Sequence, residues 1–137
     1  MLVTGAFLAE AAATVDNKLN VTGGVLSRFA VGPDRRVRFV LVVLTRSETD
    51  DSDRRVDVEL KSPALDDSLA HRFEVPEASI GEFPGFAFFD IEAVLPTDGR
   101  WAVEVTAGGE TVSLPLVVSA WTPASVICVK IPPSQRL

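Results

Sequence analysis

Few side chains in this 137-residue sequence could do chemistry, and the densest group is acidic. The segment SETDDSDRR places Glu48, Asp50, Asp51 and Asp53 within six residues. Calcium prefers clustered carboxylate oxygens, so these four residues are candidate metal ligands. The spacing departs from an EF-hand loop, which needs a glycine at its sixth position and a closing glutamate, and two arginines follow at once. Two interpretations therefore stay open: a calcium site and a solvated, charge-compensated loop.

The other reactive side chains do not form a catalytic set in the sequence. His71 is the only histidine and Cys128 the only cysteine, which excludes an internal disulfide and a Cys/His zinc cluster. His71 is interpreted as a strand-surface residue, because no serine lies in a Gly-x-Ser-x-Gly elbow. Cys128 has apolar neighbours and is interpreted as an inert buried thiol. Asp90 and Glu92 share one strand face within the range of glycosidase carboxylates, but a polar strand face carries such residues for solubility alone. The sequence thus predicts no enzyme activity and no cofactor.

The stretch DNKLNVTGG, residues 16–24, has the glycines of a phosphate-binding loop but not its order. A P-loop places Lys and Ser or Thr after the glycines, whereas Lys18 precedes them and no helix signal follows. A β-hairpin fits better, since Asp16 and Asn17 tolerate the left-handed backbone of a tight turn. In this interpretation Leu19 and Val21 face the core, and the glycines at 23 and 24 break the strand.

The elements that must position these residues are strands. The run VRFVLVVLT, residues 37–45, is apolar on both faces, which indicates a central strand covered on both sides. RVDVELK alternates cleanly, with Val56, Val58 and Leu60 on its inward face. GRWAVEV and ETVSLPLVV flank the turn Gly108-Gly109 and predict a hairpin. Pro115 lacks an N–H and is expected at an edge.

These patterns predict an all-β fold, an antiparallel two-sheet sandwich of immunoglobulin-like type with about eight strands. Residues 1–119 form the sandwich domain, and residues 120–137 form a C-terminal tail or an added edge strand. The tail contains a further apolar run, from Val126 to Ile131.

The N-terminal sequence also resembles a known family. Ala9-Glu10-Ala11-Ala12, Lys18-Leu19-Asn20 and Gly23-Gly24 occupy the places of an A-[DE]-A-A…K-L-N…G-G pattern. That pattern is typical of a family of small bacterial and phage proteins of unknown function. The resemblance covers about the first thirty residues well and the GRWAVEV…GGETVSLPL segment loosely. It implies a compact β-sandwich and no assigned activity.

Partner contacts are the function that the composition favours. The net charge of −6, from 13 basic and 19 acidic residues, argues against nucleic acid as a partner. No apolar run reaches the roughly 18 residues of a membrane helix, and the absence of a basic N-terminal region argues against a signal peptide, so a cytoplasmic location is expected. The segment EFPGFAFF holds four of the eight phenylalanines, with Phe86 and Phe88 on one strand face. An apolar strand face of this kind suits a protein contact.

The sequence therefore predicts a non-catalytic β-sandwich protein that acts through protein–protein contacts, in a homo-oligomer or a larger assembly. The expected partner is a protein, including a second copy of this chain. The alternative is a sandwich that binds calcium or a small ligand through the acidic segment 47–55. The predicted contact residues combine the Phe-rich strand with the tail: Phe86, Phe88, Trp121, Val126, Ile127 and Ile131.

Overall fold

A computed structural model describes residues 2–46, 53–64, 68–76 and 85–120 of the chain. Strands account for 75% of these residues, and none of them is helical. The strands are β1 (Leu2–Ala9), β2 (Ala11–Val15), β3 (Lys18–Thr22), β4 (Arg28–Val31), β5 (Arg36–Arg46), β6 (Arg55–Lys61), β7 (Ser68–Glu74), β8 (Gly85–Val94), β9 (Gly99–Ala107) and β10 (Glu110–Ala120). Within this described part, no helix is long and apolar enough to cross a bilayer.

The strands form three sheets. One has the order β1-β5-β8, a second has the order β4-β10-β9-β6-β7, and the third is the two-stranded ribbon β2-β3. One of the sheets curls into a half-barrel. The prediction of an all-β fold is confirmed. Eight strands is too few, because the N-terminal run divides at Glu10 into β1 and β2, and the short β4 adds another. The sheets are also not wholly antiparallel, since β4 pairs with β10 in parallel.

One hydrophobic core holds the three-stranded and five-stranded sheets together. Alternate residues of β5 and β6 enter it, as the period-two pattern of a half-buried strand requires. The fully buried members from these two strands are Phe39, Leu41, Val43, Val56, Val58 and Leu60, each no more than 1% exposed. The inward positions predicted for RVDVELK are therefore confirmed. Trp101 fills the core from β9, and its Nε1–H donates a hydrogen bond to the carbonyl of Thr97 over 2.8 Å.

Strand β5 is the centre of its sheet and is buried on both faces, as predicted. Leu41 and Val43 point into the core, while Val40 and Val42 point to the opposite side. Val40 and Val42 are nevertheless only 5% and 0% exposed. The three-stranded sheet thus has a core face and a second face, called here the outer face, which is covered at Val40 and Val42.

The stretch DNKLNVTGG is a hairpin. Asp16 and Asn17 have φ of 53° and 60°, the two positive values that a tight two-residue turn needs between β2 and β3. The expectation that Leu19 and Val21 face the core is wrong. Val21 is exposed and Leu19 only half-buried, because the ribbon forms its own sheet rather than joining a core sheet. No helix follows the glycines; the next element is β4.

The closing hairpin of β9 and β10 also matches its prediction. Gly108 and Gly109 adopt φ of 61° and 82°, and the inward side chains continue from Trp101 to Leu116. Strand β10 is not an edge strand, but Pro115 still lies where its missing N–H costs nothing. Pairing with β4 begins only at Val117, so Pro115 is paired on one side alone, with Ala102 of β9.

A charged contact joins the ends of several strands. The Arg35 guanidinium donates through Nε to the carbonyl of Leu95 at 2.7 Å and through Nη2 to Asp98 Oδ1 at 2.5 Å. The other oxygen of Asp98 accepts a bond from the backbone N–H of Ala120 at 3.4 Å. The hydrogen bond from Arg35 lowers the pKa of the Asp98 carboxyl below its ordinary value. This contact links the turns before β5 and β9 to the end of β10.

Candidate functional site

The outer face of the three-stranded sheet is the strongest candidate for a functional surface. Its strand register aligns Phe7, Val42 and Phe88 in one row across β1, β5 and β8. The adjoining row aligns Gly5, Leu44 and Phe86. Phe7, Leu44, Phe86 and Phe88 are half-buried, and Val42 is fully buried. We call these five apolar side chains, Phe7, Val42, Leu44, Phe86 and Phe88, the apolar patch.

The chain that follows the β2–β3 ribbon approaches the apolar patch at Phe7. Strand β2 packs against β5. The backbone at Gly24 passes so close that a Cβ there would lie 3.3 Å from the Phe7 ring and 2.9 Å from Val21. Only glycine permits this approach, which explains why the chain ends its ribbon with glycine residues. The segment after the ribbon therefore lies against Phe7, at the β1 side of the patch.

The remaining half of the outer face is charged. Arg38 lies between two carboxylates of β8, with Nη2 3.8 Å from Asp90 Oδ2 and Nε 3.5 Å from Glu92 Oε1. All three side chains are more than 60% exposed. A shallow depression of about 370 Å³ lies at this end, beside Arg36 and Val94. Asp90 and Glu92 share one strand face as predicted, and both pair with Arg38 in open solvent.

Of the four acidic residues in the segment 47–55, only Asp53 lies within the described residues. Its carboxylate accepts hydrogen bonds from Arg55, at 3.0 Å from Nε and 3.2 Å from Nη2, and from the backbone N–H of Arg55 at 3.0 Å. These bonds, the side-chain one foremost, lower the pKa of Asp53 to about 2. Glu48, Asp50 and Asp51 lie outside the described residues. Among the residues that the structure does describe, no group of three or more His, Cys, Asp or Glu side chains converges on a metal position.

His71 is not the strand-surface residue that the sequence indicates. Its ring is half-buried on the core side of β7, stacked on Phe73 with centroids 6.1 Å apart. Phe73 stacks in turn on Phe89 of β8 at 4.7 Å. The buried His71 Nε2 has no hydrogen-bond partner within the described ranges, so no described hydroxyl or carboxylate orients it as a general base. The stack joins the free margins of the two larger sheets.

The outward side of the five-stranded sheet is a polar surface. Arg72 Nε donates to Asp57 Oδ1 at 2.7 Å, and Lys61 Nζ lies 3.0 Å from Glu104 Oε1. Glu59 stands directly opposite Glu104 in the register. The hydrogen bond that Lys61 donates to Glu104 raises the pKa of Lys61. A depression of about 470 Å³ crosses this surface. Its cross-strand ion pairs are of the exposed kind that contribute little to stability.

Two of the five residues of the apolar patch were predicted from the sequence. Phe86 and Phe88 lie on the face predicted for them, next to Asp90. Trp121, Val126, Ile127, Ile131 and Cys128 lie outside the described residues. Phe7, Val42 and Leu44 were missed as site residues. For Val42 and Leu44 the signal was present in the apolar character of residues 37–45 on both faces, which predicted a covered strand but not its neighbours.

No protein-family model matches this chain, and searches of curated proteins and of solved structures find no similar protein.

Proposed function

We propose that this chain is a non-catalytic, immunoglobulin-like β-sandwich protein that acts by contacting other proteins, in a homo-oligomer or within a larger assembly. The observation that carries the proposal is the apolar patch. Phe86 and Phe88 are large apolar side chains on an outer sheet face, away from the core. A soluble protein that keeps phenylalanine side chains there gains most when a partner covers them. The stacking of Phe73 on Phe89 supports the sandwich interpretation, since it brings the two larger sheets face to face.

The charge pattern fits the same proposal. The Arg38 ion-pair cluster borders the apolar patch on β5 and β8, so an apolar centre adjoins a polar, solvated margin. Protein interfaces commonly have this organisation, with an apolar centre and charged residues at the rim. The resemblance to small bacterial and phage proteins of unknown function supports a β-sandwich and leaves the partner open.

The test is the mass of the native chain in solution. Multi-angle light scattering across 5–200 µM is expected to give more than the 14.7 kDa of one chain. The double variant Phe86→Ser, Phe88→Ser is expected to lower that mass at equal concentration. Val94→Ser is the matched control, because Val94 lies on the same strand and face but beyond the patch. If the native chain stays monomeric and the double variant is as stable as the native chain, the proposed protein contact loses its main support.

A calcium titration tests the alternative. If the acidic segment 47–55 binds calcium in the folded state only, millimolar calcium must raise the melting temperature by mass action. Asp53→Asn is then expected to reduce that rise. The pairing of Asp53 with Arg55 competes with metal binding, because the guanidinium already occupies both carboxylate oxygens.

A further inference from the structure

The inner face of β7 is incompletely covered by the described strands. The five-stranded sheet is two strands wider than the three-stranded sheet that it faces, and β7 and β8 form the margins on one side of the core. Three side chains of β7 point to its inner face, each opposite a buried residue of β6: Leu69, His71 and Phe73. Leu69 is nevertheless 37% exposed, and the other two are only half-buried. One more strand beside β8, with apolar side chains toward β7, completes the cover that face-to-face packing of two sheets requires.

The described part of the chain ends close to the end of β8. The Ala120 N–H donates to Asp98 Oδ2. The Arg35 guanidinium joins Asp98 to the carbonyl of Leu95, the residue that directly follows β8. The six Cα steps from Ala120 to Val126 cover about 20 Å, enough to reach the margin of β8. A segment that starts from this end and follows β8 runs antiparallel to it.

We propose that residues 126–131 of the same chain form a fourth strand of the three-stranded sheet, antiparallel to β8, with Val126 opposite Val94. Directly paired residues share a face of the sheet, so alternate residues of this segment point over the inner face of β7. These residues are Ile127, Val129 and Ile131. A shift of one residue would turn all three to solvent and Lys130 to the core, which fixes the register.

The charges at the margin of β8 favour a strand that carries a cation. Asp90 and Glu92 share the single guanidinium of Arg38, so one negative charge is left over among these three side chains. Charges of this kind protect an edge against indiscriminate pairing. In the proposed register Lys130 lies directly opposite Asp90 and diagonal to Glu92, and it balances the remaining charge.

Pro132 and Pro133 end the added strand at a defined point. Proline has no N–H to donate to a strand ladder, so pairing stops after Ile131, opposite Phe89. The part of β8 that carries Phe86 and Phe88 lies beyond that point. The inference therefore goes beyond the proposed protein contact and does not depend on it.

Intramolecular disulfide trapping tests the register in the whole chain. In a Cys128→Ser background, Val94→Cys with Val126→Cys places two thiols directly opposite each other, at a Cα separation of about 4.5–5.5 Å that fits a disulfide. In the matched control, Phe88→Cys with Val126→Cys, the two positions lie six residues apart along the strand, roughly 20 Å at about 3.3 Å per residue. Mild oxidation of a dilute solution is expected to link most chains of the first variant internally and few of the control. Nonreducing electrophoresis separates internally linked chains from linked dimers.

Charge reversal tests the contact with Asp90. Lys130→Glu places a third carboxylate at this margin and is expected to slow the 94–126 link at least about fivefold, since like charges directly opposite are destabilising. The further change Asp90→Lys restores opposite charges and should return the rate to within about twofold of its original value. Lys18→Glu, on the exposed strand β3, makes the same charge change elsewhere and should leave the rate unchanged.

The outcomes decide the inference separately from the proposed function. Selective internal linking of positions 94 and 126, slowed by Lys130→Glu and recovered by the double reversal, supports it. Equal linking of both cysteine pairs, or of neither in chains that melt like the native protein, overturns it. Linked dimers in place of internal links overturn it as well, because the segment then pairs with a second copy.

The same charge series without the cysteines covers the case in which the cysteine variants do not fold. Read as melting temperature, it should show the same loss and recovery, and an unchanged melting temperature throughout would overturn the inference. The light-scattering comparison of the Phe86→Ser, Phe88→Ser variant tests the proposed protein contact independently of these results.

Discussion

Truncation of β5 on either face should destabilise the fold, because this strand is buried on both sides. Leu41 points into the core and Val42 into the apolar patch, and both are 0% exposed. Val42→Ala removes two buried carbons, which lowers the free energy of unfolding by about 1.6 kcal/mol at ~0.8 kcal/mol for each carbon. A residual cavity of roughly 40 Å³ adds about 1 kcal/mol at ~24 cal/mol per Å³. The expected loss is therefore about 2–3 kcal/mol, and about 3–4 kcal/mol for Leu41→Ala, which removes one carbon more.

Urea denaturation at 25 °C, followed by circular dichroism, measures these losses. With a slope of about 2 kcal/mol per molar urea, Val42→Ala should lower the midpoint by about 1–1.5 M. Val94→Ala is the matched control on the same face of the sheet, since Val94 is 49% exposed, and it should cost less than about 0.5 kcal/mol. Equal losses for Val42→Ala and Val94→Ala would refute the claim that the outer face is covered. If only Leu41→Ala lowered the free energy of unfolding strongly, the packing that stabilises β5 would lie on its core side alone.

Three further predictions concern the strand ends and the core. Asp98→Asn should make the free energy of unfolding less dependent on pH in the acid range. The hydrogen bond from Arg35 lowers the pKa of Asp98, so ionised Asp98 stabilises the native chain at pH values above the pKa that Asp98 has in the unfolded chain. This stabilisation is lost as the pH falls through the pKa that Asp98 has in the folded chain. Urea midpoints between pH 7 and pH 2 measure this, and parallel profiles would contradict it. Gly99→Ala should lower the free energy of unfolding by about 1–3 kcal/mol, because the φ angle of Gly99 is +129°. Gly5→Ala is the control and should leave the urea midpoint nearly unchanged, because Gly5 has an ordinary φ and a Cβ there would lie 3.5 Å from its nearest neighbour. Trp101→Phe should lower the free energy of unfolding by about 2–3 kcal/mol, because it shrinks a core side chain and removes the indole hydrogen bond. Thermal unfolding measures this loss, and an unchanged melting temperature would contradict it by showing that the core closes around phenylalanine.

Alternation along each strand was enough to say which side chains share a face. It correctly grouped Val56 with Val58, and Phe86 with Phe88, because the side-chain period of a strand is fixed by backbone geometry. The same rule failed to say what each face touches. Leu19 and Val21 alternate like core residues, yet they belong to a ribbon with its own pairing. Which sheet a strand joins depends on long-range pairing, and a local pattern does not encode it.

Turn chemistry was the other reliable signal. Asp16-Asn17 and Gly108-Gly109 were recognised because positive φ is costly for most residues and these types tolerate it. The candidate site was only partly predictable, because sheet membership depends on long-range pairing there as it does for the β2–β3 ribbon. Phe86 and Phe88 stood out as clustered aromatics, but Phe7 joins their face only through Val42, which pairs with Phe7 on one side and with Phe88 on the other.

The parallel pairing of β4 with β10 has a consequence for how the chain reaches its native state. Residues 28–31 find their partners at residues 117–120, and the N–H of Val117 also bonds the carbonyl of Ser27. During synthesis β4 must therefore stay unpaired along that margin until β10 has left the ribosome. Pairings of such wide sequence separation form slowly, because the long loop must close before the contact is gained. Completion of the five-stranded sheet should accordingly follow the emergence of β10, and nascent chains that stop short of β10 should be the ones that chaperones and proteases engage.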